Sequence, residues 1–303
     1  MATTLKDLDK TLVPRSVSED VWKVALSEAV VPQLAKATPV ILGDNVVPTV
    51  TKRPAASIVG EGANKPSSEF QLGAKSFRPI KAVVGVEFSM EAVESNPAGV
   101  LDTLAEELSG ALSRQIDLAV IHGRQASDGK QLAGQEYLTQ TTNSIEIAAP
   151  EDVDAALWDG YGLVTGAGHT FSGFAADPRL SALMASARDK EGRRLNQDIS
   201  MGGGVGSYAG LPVAVSQTVS GRADASTDAG VYAIGGDFSA VRFGRALDIP
   251  LRKIEFGDPL GNGDLQRRNM VAFMAEALFG WAILDHGAFV QYVTPGSAEG
   301  NGE

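Results

Sequence analysis

Residues 96–123, NPAGVLDTLAEELSGALSRQIDLAVIHG, hold the clearest periodic segment of the chain. Leu101, Leu104, Leu108, Leu112 and Ile116 recur every three or four positions, which puts them on one stripe of an α-helix. Asn96 suits the N-cap, Pro97 the first helical position and Gly123 the stop. A helix from Pro97 to His122 is about 39 Å long at ~1.5 Å per residue, longer than most globular helices.

Upstream of this helix, residues 55–90 read as an extended hairpin. Its tip is Gly60-Glu61-Gly62-Ala63-Asn64-Lys65-Pro66, and on its return strand Val84, Val86 and Phe88 alternate with Gly85, Glu87 and Ser89. Residues 1–54 read as an arm. A short helical pattern around Asp20 to Leu34 is interrupted at Pro32, and Pro39 and Pro48 bracket extended apolar pieces.

Downstream, 91–150 carries the long helix, and 151–265 alternates short helical and strand patterns with Gly-rich turns. A helix starts at Glu151 and another spans Pro178 to Asp189; strands fall near Thr170 to Ala176, Leu211 to Ser216 and Val231 to Ile234. Within 266–294, the run from Asn269 to Val293 is apolar on alternate and intervening positions alike, as expected of a strand buried on both sides. Residues 295–303 form a Gly-, Ser- and Glu-rich tail expected to be loose. The fold class is α+β.

Composition removes several functions. With 303 residues and 44% hydrophobic content the chain can bury a sizeable core. A formal net charge of -11 does not suit neutralisation of nucleic-acid phosphates. The absence of cysteine excludes disulfides, thiolate nucleophiles and thiolate metal sites. No stretch approaches the roughly 20 apolar residues of a membrane span, and Met1 to Lys10 lacks the apolar core of a signal peptide.

Few motifs carry chemistry. Gly204-Val205-Gly206-Ser207-Tyr208-Ala209 has dinucleotide-loop spacing, but it runs into Gly210-Leu211-Pro212, which cannot open the required helix. His122, His169 and His286 are scattered and lack metal-ligand spacing. No cofactor and no metal is expected. Glu276 stands out because it lies inside the apolar stretch Val271 to Ile283, where an unpaired carboxylate is costly. It reads either as a structural ion pair with an arginine such as Arg267 or Arg268, or as a base whose pKa burial raises. Lys65 alone reads as a solvated tip charge and Asn269 as a turn residue.

Taken in order, these segments resemble the major capsid proteins of tailed phages with the Hong Kong 97 phage fold. Val59 to Pro66 looks like that family's extended-loop tip, and Val86-Glu87-Phe88-Ser89 with Glu91 like the return into the spine helix. Asp117 to Gly123 is similar to the helix end. Asp177-Pro178-Arg179 followed by Arg188 to Arg193 resembles the axial domain. Gly210 to Val213, Gly235 to Ser239, and Asn269-Met270 with Glu276 and Gly280-Trp281 complete a series covering about 55 to 293.

The resemblance implies a Hong Kong 97-like capsid fold: N-terminal arm, extended loop, spine helix in a peripheral domain whose return strands are 266–294, and a mixed α/β axial domain. It implies a major capsid protein, not an enzyme, that assembles in a bacterial host cytoplasm into the icosahedral virion head around double-stranded DNA. Expected partners are copies of itself in hexamers and pentamers, a scaffolding protein, a portal and decoration proteins. DNA is held without sequence-specific contacts, and no membrane is involved. Because the arm begins near Met1, any scaffold is expected to be a separate protein. An encapsulin-like cargo shell and a soluble α/β enzyme are the alternatives. In cross-linking members of the family the loop-tip lysine precedes a proline and the asparagine stands seven residues before the glutamate. Lys65-Pro66 and Asn269 to Glu276 match both, which implies an isopeptide bond between Lys65 and Asn269 of different subunits with Glu276 as the base.

Overall fold

The structure, a computed structural model, describes residues 28–62, 64–95, 100–196, 199 and 205–296. The expected caps at Asn96 and Pro97, the side chain of Leu101, most of the helical pattern from Asp20, Gly204, and nearly all of the tail lie outside the described residues.

In chain order the first elements are α1 (Val30–Leu34), β1 (Lys36–Ala37), β2 (Asn45–Lys52), β3 (Gln71–Phe77), β4 (Ile80–Ser89), α2 (Met90–Ser95) and α3 (Val100–His122). Then come β5 (Ser144–Glu146), α4 (Val153–Gly166), β6 (Gly173–Ala176), α5 (Pro178–Ser186), β7 (Ser207–Tyr208) and β8 (Leu211–Val215). The last are β9 (Val231–Gly236), β10 (Val241–Ile254), β11 (Met270–Ile283) and β12 (Phe289–Val293).

Helix α3 has 23 residues, about 34 Å at ~1.5 Å per residue. Its stripe is the expected one: Leu104, Leu108, Leu112 and Ile116 are all buried. They share one core with Val271, Phe273, Ala275, Ala277 and Phe279 of β11, and the inward side chains of β4 pack on that core. Complete burial of each leucine contributes roughly 1.5–3 kcal/mol. Gly123 ends the helix at φ 63°, and Arg124 N–H closes the turn onto Leu118 O at 3.1 Å.

The sheet under α3 has the order β1-β10-β11-β4. β11 runs antiparallel to both long neighbours, with Glu276 opposite Ile249 on one side and Val83 on the other. β1 adds to β10 in parallel, and Gly244 makes that approach possible: a Cβ there would lie 1.9 Å from Thr38 O.

A second sheet, β5-β12-β9-β6-β8-β7, carries α4 and α5. Gly160 lets α4 sit directly on Tyr292, whose hydroxyl donates to Leu157 O at 3.2 Å; a Cβ at 160 would fall 2.1 Å from the Tyr292 hydroxyl oxygen. The Asp177-Pro178-Arg179 segment opens α5. The buried Asp177 carboxylate accepts Arg179 N–H at 2.8 Å and pairs with the guanidinium groups of Arg179 and Arg222.

Two expectations are corrected. The hairpin is formed by β2 and β3, joined by 53–70, and not by strands within 55–90; β4 pairs instead with β11. Its apolar alternation therefore reports burial against the core under α3 and not a hairpin partner. The run from Asn269 to Val293 is two strands in different sheets, because a 3-10 turn at His286–Ala288 redirects the chain. Asp285 caps that turn by accepting Gly287 N–H at 2.8 Å.

Candidate functional site

Lys65 lies in the long connection between β2 and β3, with its side chain in solvent. Few contacts brace this connection: Ala55 N–H donates to Ser68 Oγ at 2.7 Å, Thr51 Oγ1 donates to Gln71 O at 3.1 Å, and Lys52 pairs with Glu69. Gly62 turns at φ 78°, a backbone state that side chains disfavour.

Asn269 is a turn residue, as its sequence suggests, sitting at φ 54° and ψ 44° after the 3-10 turn Gln266–Arg268. Its amide donates to Glu91 Oε1 at 2.6 Å, and its carbonyl accepts Met90 N–H at 3.0 Å. It is exposed, beside the junction of β4 and α2.

Glu276 is in the middle of β11, where its carboxylate pairs with Lys81 Nζ at 2.5 Å. Arg267 and Arg268 are not its partners. Arg268 lies in the 3-10 turn before β11, the six strand steps from Met270 to Glu276 alone span about 20 Å at ~3.3 Å per residue, and Arg268 pairs with Glu87 at 2.7 Å. Strand alternation puts Met274 and Leu278 on the same face as Glu276, next to Val83 of β4, so this carboxylate is rimmed by apolar groups.

Among the described residues no hydrogen bond or ion pair joins any two of Lys65, Asn269 and Glu276. Asn269 immediately precedes β11 and Glu276 lies seven positions further along, about 23 Å at ~3.3 Å each. One chain cannot bring both to a single amine.

The Phage capsid family model matches residues 10–294. The chain belongs to the phage capsid family. Over 297 residues it is 24% identical to the "Probable major capsid protein gp17" of Mycobacterium phage D29, covering 94% of this chain and 91% of that one. A solved structure from Gordonia phage Cozz is 56% identical with a TM-score of 0.81, covering 88% of this chain and 86% of that chain. One from Mycobacterium phage Ogopogo is 34% identical with a TM-score of 0.76, covering 88% and 92%.

The function of this capsid protein is that of a tailed-phage head subunit: it is a structural protein that self-assembles into the capsid shell, not an enzyme. Its remaining polar features fit that work. His122 is buried with Nε2 2.9 Å from Val219 O, and burial pushes its pKa down to about 4. His169 pairs with Asp285 at 3.2 Å, and no metal-binding cluster exists among the described residues. Ser207 and Tyr208 form β7 and Ala209-Gly210 a turn into β8, so the glycine-rich segment opens no helix there.

One residue has a role that sequence reading missed. Asp117 of α3 is fully buried; its two oxygens accept Val30 and Val31 N–H at 3.0 Å each, and Thr218 Oγ1 donates to it at 2.9 Å. This carboxylate ties the end of the arm, the long helix and the turn at Gln217–Ser220 together. Burial, only partly offset by those bonds, raises its pKa to about 6. The signal was present as a lone acid between Ile116 and Leu118 in an apolar run.

Proposed function

We propose that this capsid protein forms hexamers and pentamers in which the β2–β3 hairpin of one copy lies on the α3 region of the next. The observation that carries this reading is the hairpin itself. It exposes Val46, Val50, Ile58, Phe70 and Leu72, and a lone two-stranded hairpin is marginally stable in water. Residues 44–81 hold six lysines and arginines against three acids, a net +3, whereas 82–113 hold six acids and no base. Opposite charge thus supports hairpin-on-helix packing between copies. The sheet beneath α3 serves as the peripheral body and the β5–β12 sheet as the axial body. A scaffolding protein, a portal and decoration proteins are the further partners. DNA is enclosed without sequence-specific contacts, in keeping with a net charge of -11, and assembly takes place in the host cytoplasm.

The same packing supplies the cross-link. Lys65 of one copy attacks Cγ of Asn269 on a second, forming the amide bond as the C–N bond to the Asn269 nitrogen breaks. Glu276 relays to the departing nitrogen both protons that the lysine nitrogen loses, one from the ammonium before attack and one as the new amide forms, so ammonium leaves. The ~23 Å between Asn269 and Glu276 requires the glutamate to come from a different copy than the asparagine, and shell closure fixes the three at contact distance. Denatured mature particles on a gel test this. A ladder of multimers that disappears in Lys65→Arg and in Glu276→Gln supports the bond; a single band near 31.6 kDa refutes it.

A further inference from the structure

The six-stranded sheet leaves an apolar hollow uncovered. Trp158 and Tyr161 of α4, with Phe171, Phe174, Tyr208 and Leu211, line a cavity of about 220 Å³. The rings form a continuous run, with centroids 5.7 Å apart for Trp158 and Tyr161, 5.7 Å for Tyr161 and Phe171, and 4.8 Å for Phe171 and Phe174. Trp158 remains 56% exposed, an unusual state for so large an apolar group on a packed helix. The segment that supplies Trp158 and Tyr161 is acidic: Glu151, Asp152 and Asp159 are exposed with no ion pair among the described residues, and no lysine or arginine occurs from 151 to 178.

The opposite chemistry sits on the same chain. After α5 the turn 188–195 carries exposed Arg188, Lys190, Arg193 and Arg194, then Leu195, which is 45% exposed. Arg193 is engaged locally by Asp189 and Glu191, whereas Lys190 and Arg194 have no carboxylate partner among the described residues. An aliphatic side chain flanked by cations complements an aromatic hollow carried on an acidic segment.

We propose that Leu195 and the cations beside it on one copy dock into the Trp158–Tyr161 hollow of the adjacent copy, making the head-to-tail contact that closes each ring. The inference rests on the self-assembly reading above and adds the surface that performs it. Two different patches on one chain make a heterologous contact, which generates rings when the rotation closes. The patches converge where Asn196 Nδ2 donates to Asp154 at 3.2 Å. A subunit whose two contact faces meet at one edge is a wedge, and that edge lies toward the rotation axis.

Charge reversal on exposed residues tests this with the full chain. One variant carries Lys190→Glu with Arg194→Glu, a second carries Glu151→Lys with Asp159→Lys, and a third carries all four changes. Each one-sided variant is expected to keep the circular dichroism of the wild-type subunit and to lose particle yield by about tenfold or more in sedimentation, since like charges then face each other. The fourfold variant is expected to recover most of that yield. In wild type, Trp158 emission moves to shorter wavelength on assembly, and Trp158→Phe abolishes that component. One-sided variants that assemble like wild type overturn this contact and leave the shell reading intact. One-sided defects that the fourfold variant does not repair also overturn it and assign the hollow to another protein. A wild-type chain that forms no particles at all overturns the shell reading and this inference with it.

Discussion

Asp117→Asn isolates the energetic role of the buried carboxylate. Its pKa of about 6, against an ordinary 3.8, means that the folded state binds the proton more tightly than the unfolded state does. Two pKa units at ~1.36 kcal/mol each make the ionised form roughly 3 kcal/mol more costly to bury than the neutral one. The sign follows from proton counts. Between about pH 4 and 6 the folded chain holds the proton and the unfolded chain does not, so stability rises as pH falls through that window. The penalty is fully present above about pH 6 and absent below 3.8. Asparagine has no such dependence. In urea titrations of the unassembled subunit followed by tryptophan fluorescence, wild type should therefore gain up to roughly 3 kcal/mol on the variant between pH 7.5 and pH 4. Parallel pH profiles for the two proteins, or a relative loss by wild type on acidification, would refute the reasoning.

Other perturbations have defined outcomes. Leu108→Ala removes a fully buried side chain between α3 and β11, and denaturant titration should show a loss on the order of 2–5 kcal/mol; a neutral result would mean that this face is not packed. Gly160→Ala places a methyl against the Tyr292 hydroxyl, so α4 must shift and the melting temperature should fall; Tyr292→Phe should recover only part of the loss, because ring Cζ would still lie 2.7 Å from the new Cβ. Gly244→Ala drives a Cβ into Thr38 O, and hydrogen exchange should speed up at Thr38 N–H, which otherwise donates to Phe243 O at 2.8 Å.

How far the fold was legible depends on what each segment's neighbours contribute. α3 could be read because its stripe repeats at the helical period over four turns and Gly123 marks its end. The Asp177-Pro178-Arg179 start of α5 was legible through local cap chemistry. β4 was misassigned because alternation reveals a buried face but not which strand supplies the hydrogen bonds, and its partner β11 is nearly two hundred residues away. The split at Asp285 was hidden because apolar residues flank it on both sides and the cap acts through a single backbone contact. Of the candidate site, Lys65 and Asn269 were placed correctly as loop and turn residues. The partner of Glu276 was not, since Lys81 becomes its neighbour only through cross-strand register. Asp117 escaped notice for the same reason: its partners Val30, Val31 and Thr218 are remote in sequence.

The most direct test of the central claim is electron microscopy of the purified chain, expressed with its scaffolding partner where one is needed. Closed icosahedral shells of uniform size, with this chain in five- and six-membered rings, are the predicted result. Monomers or small oligomers under every assembly condition would contradict it.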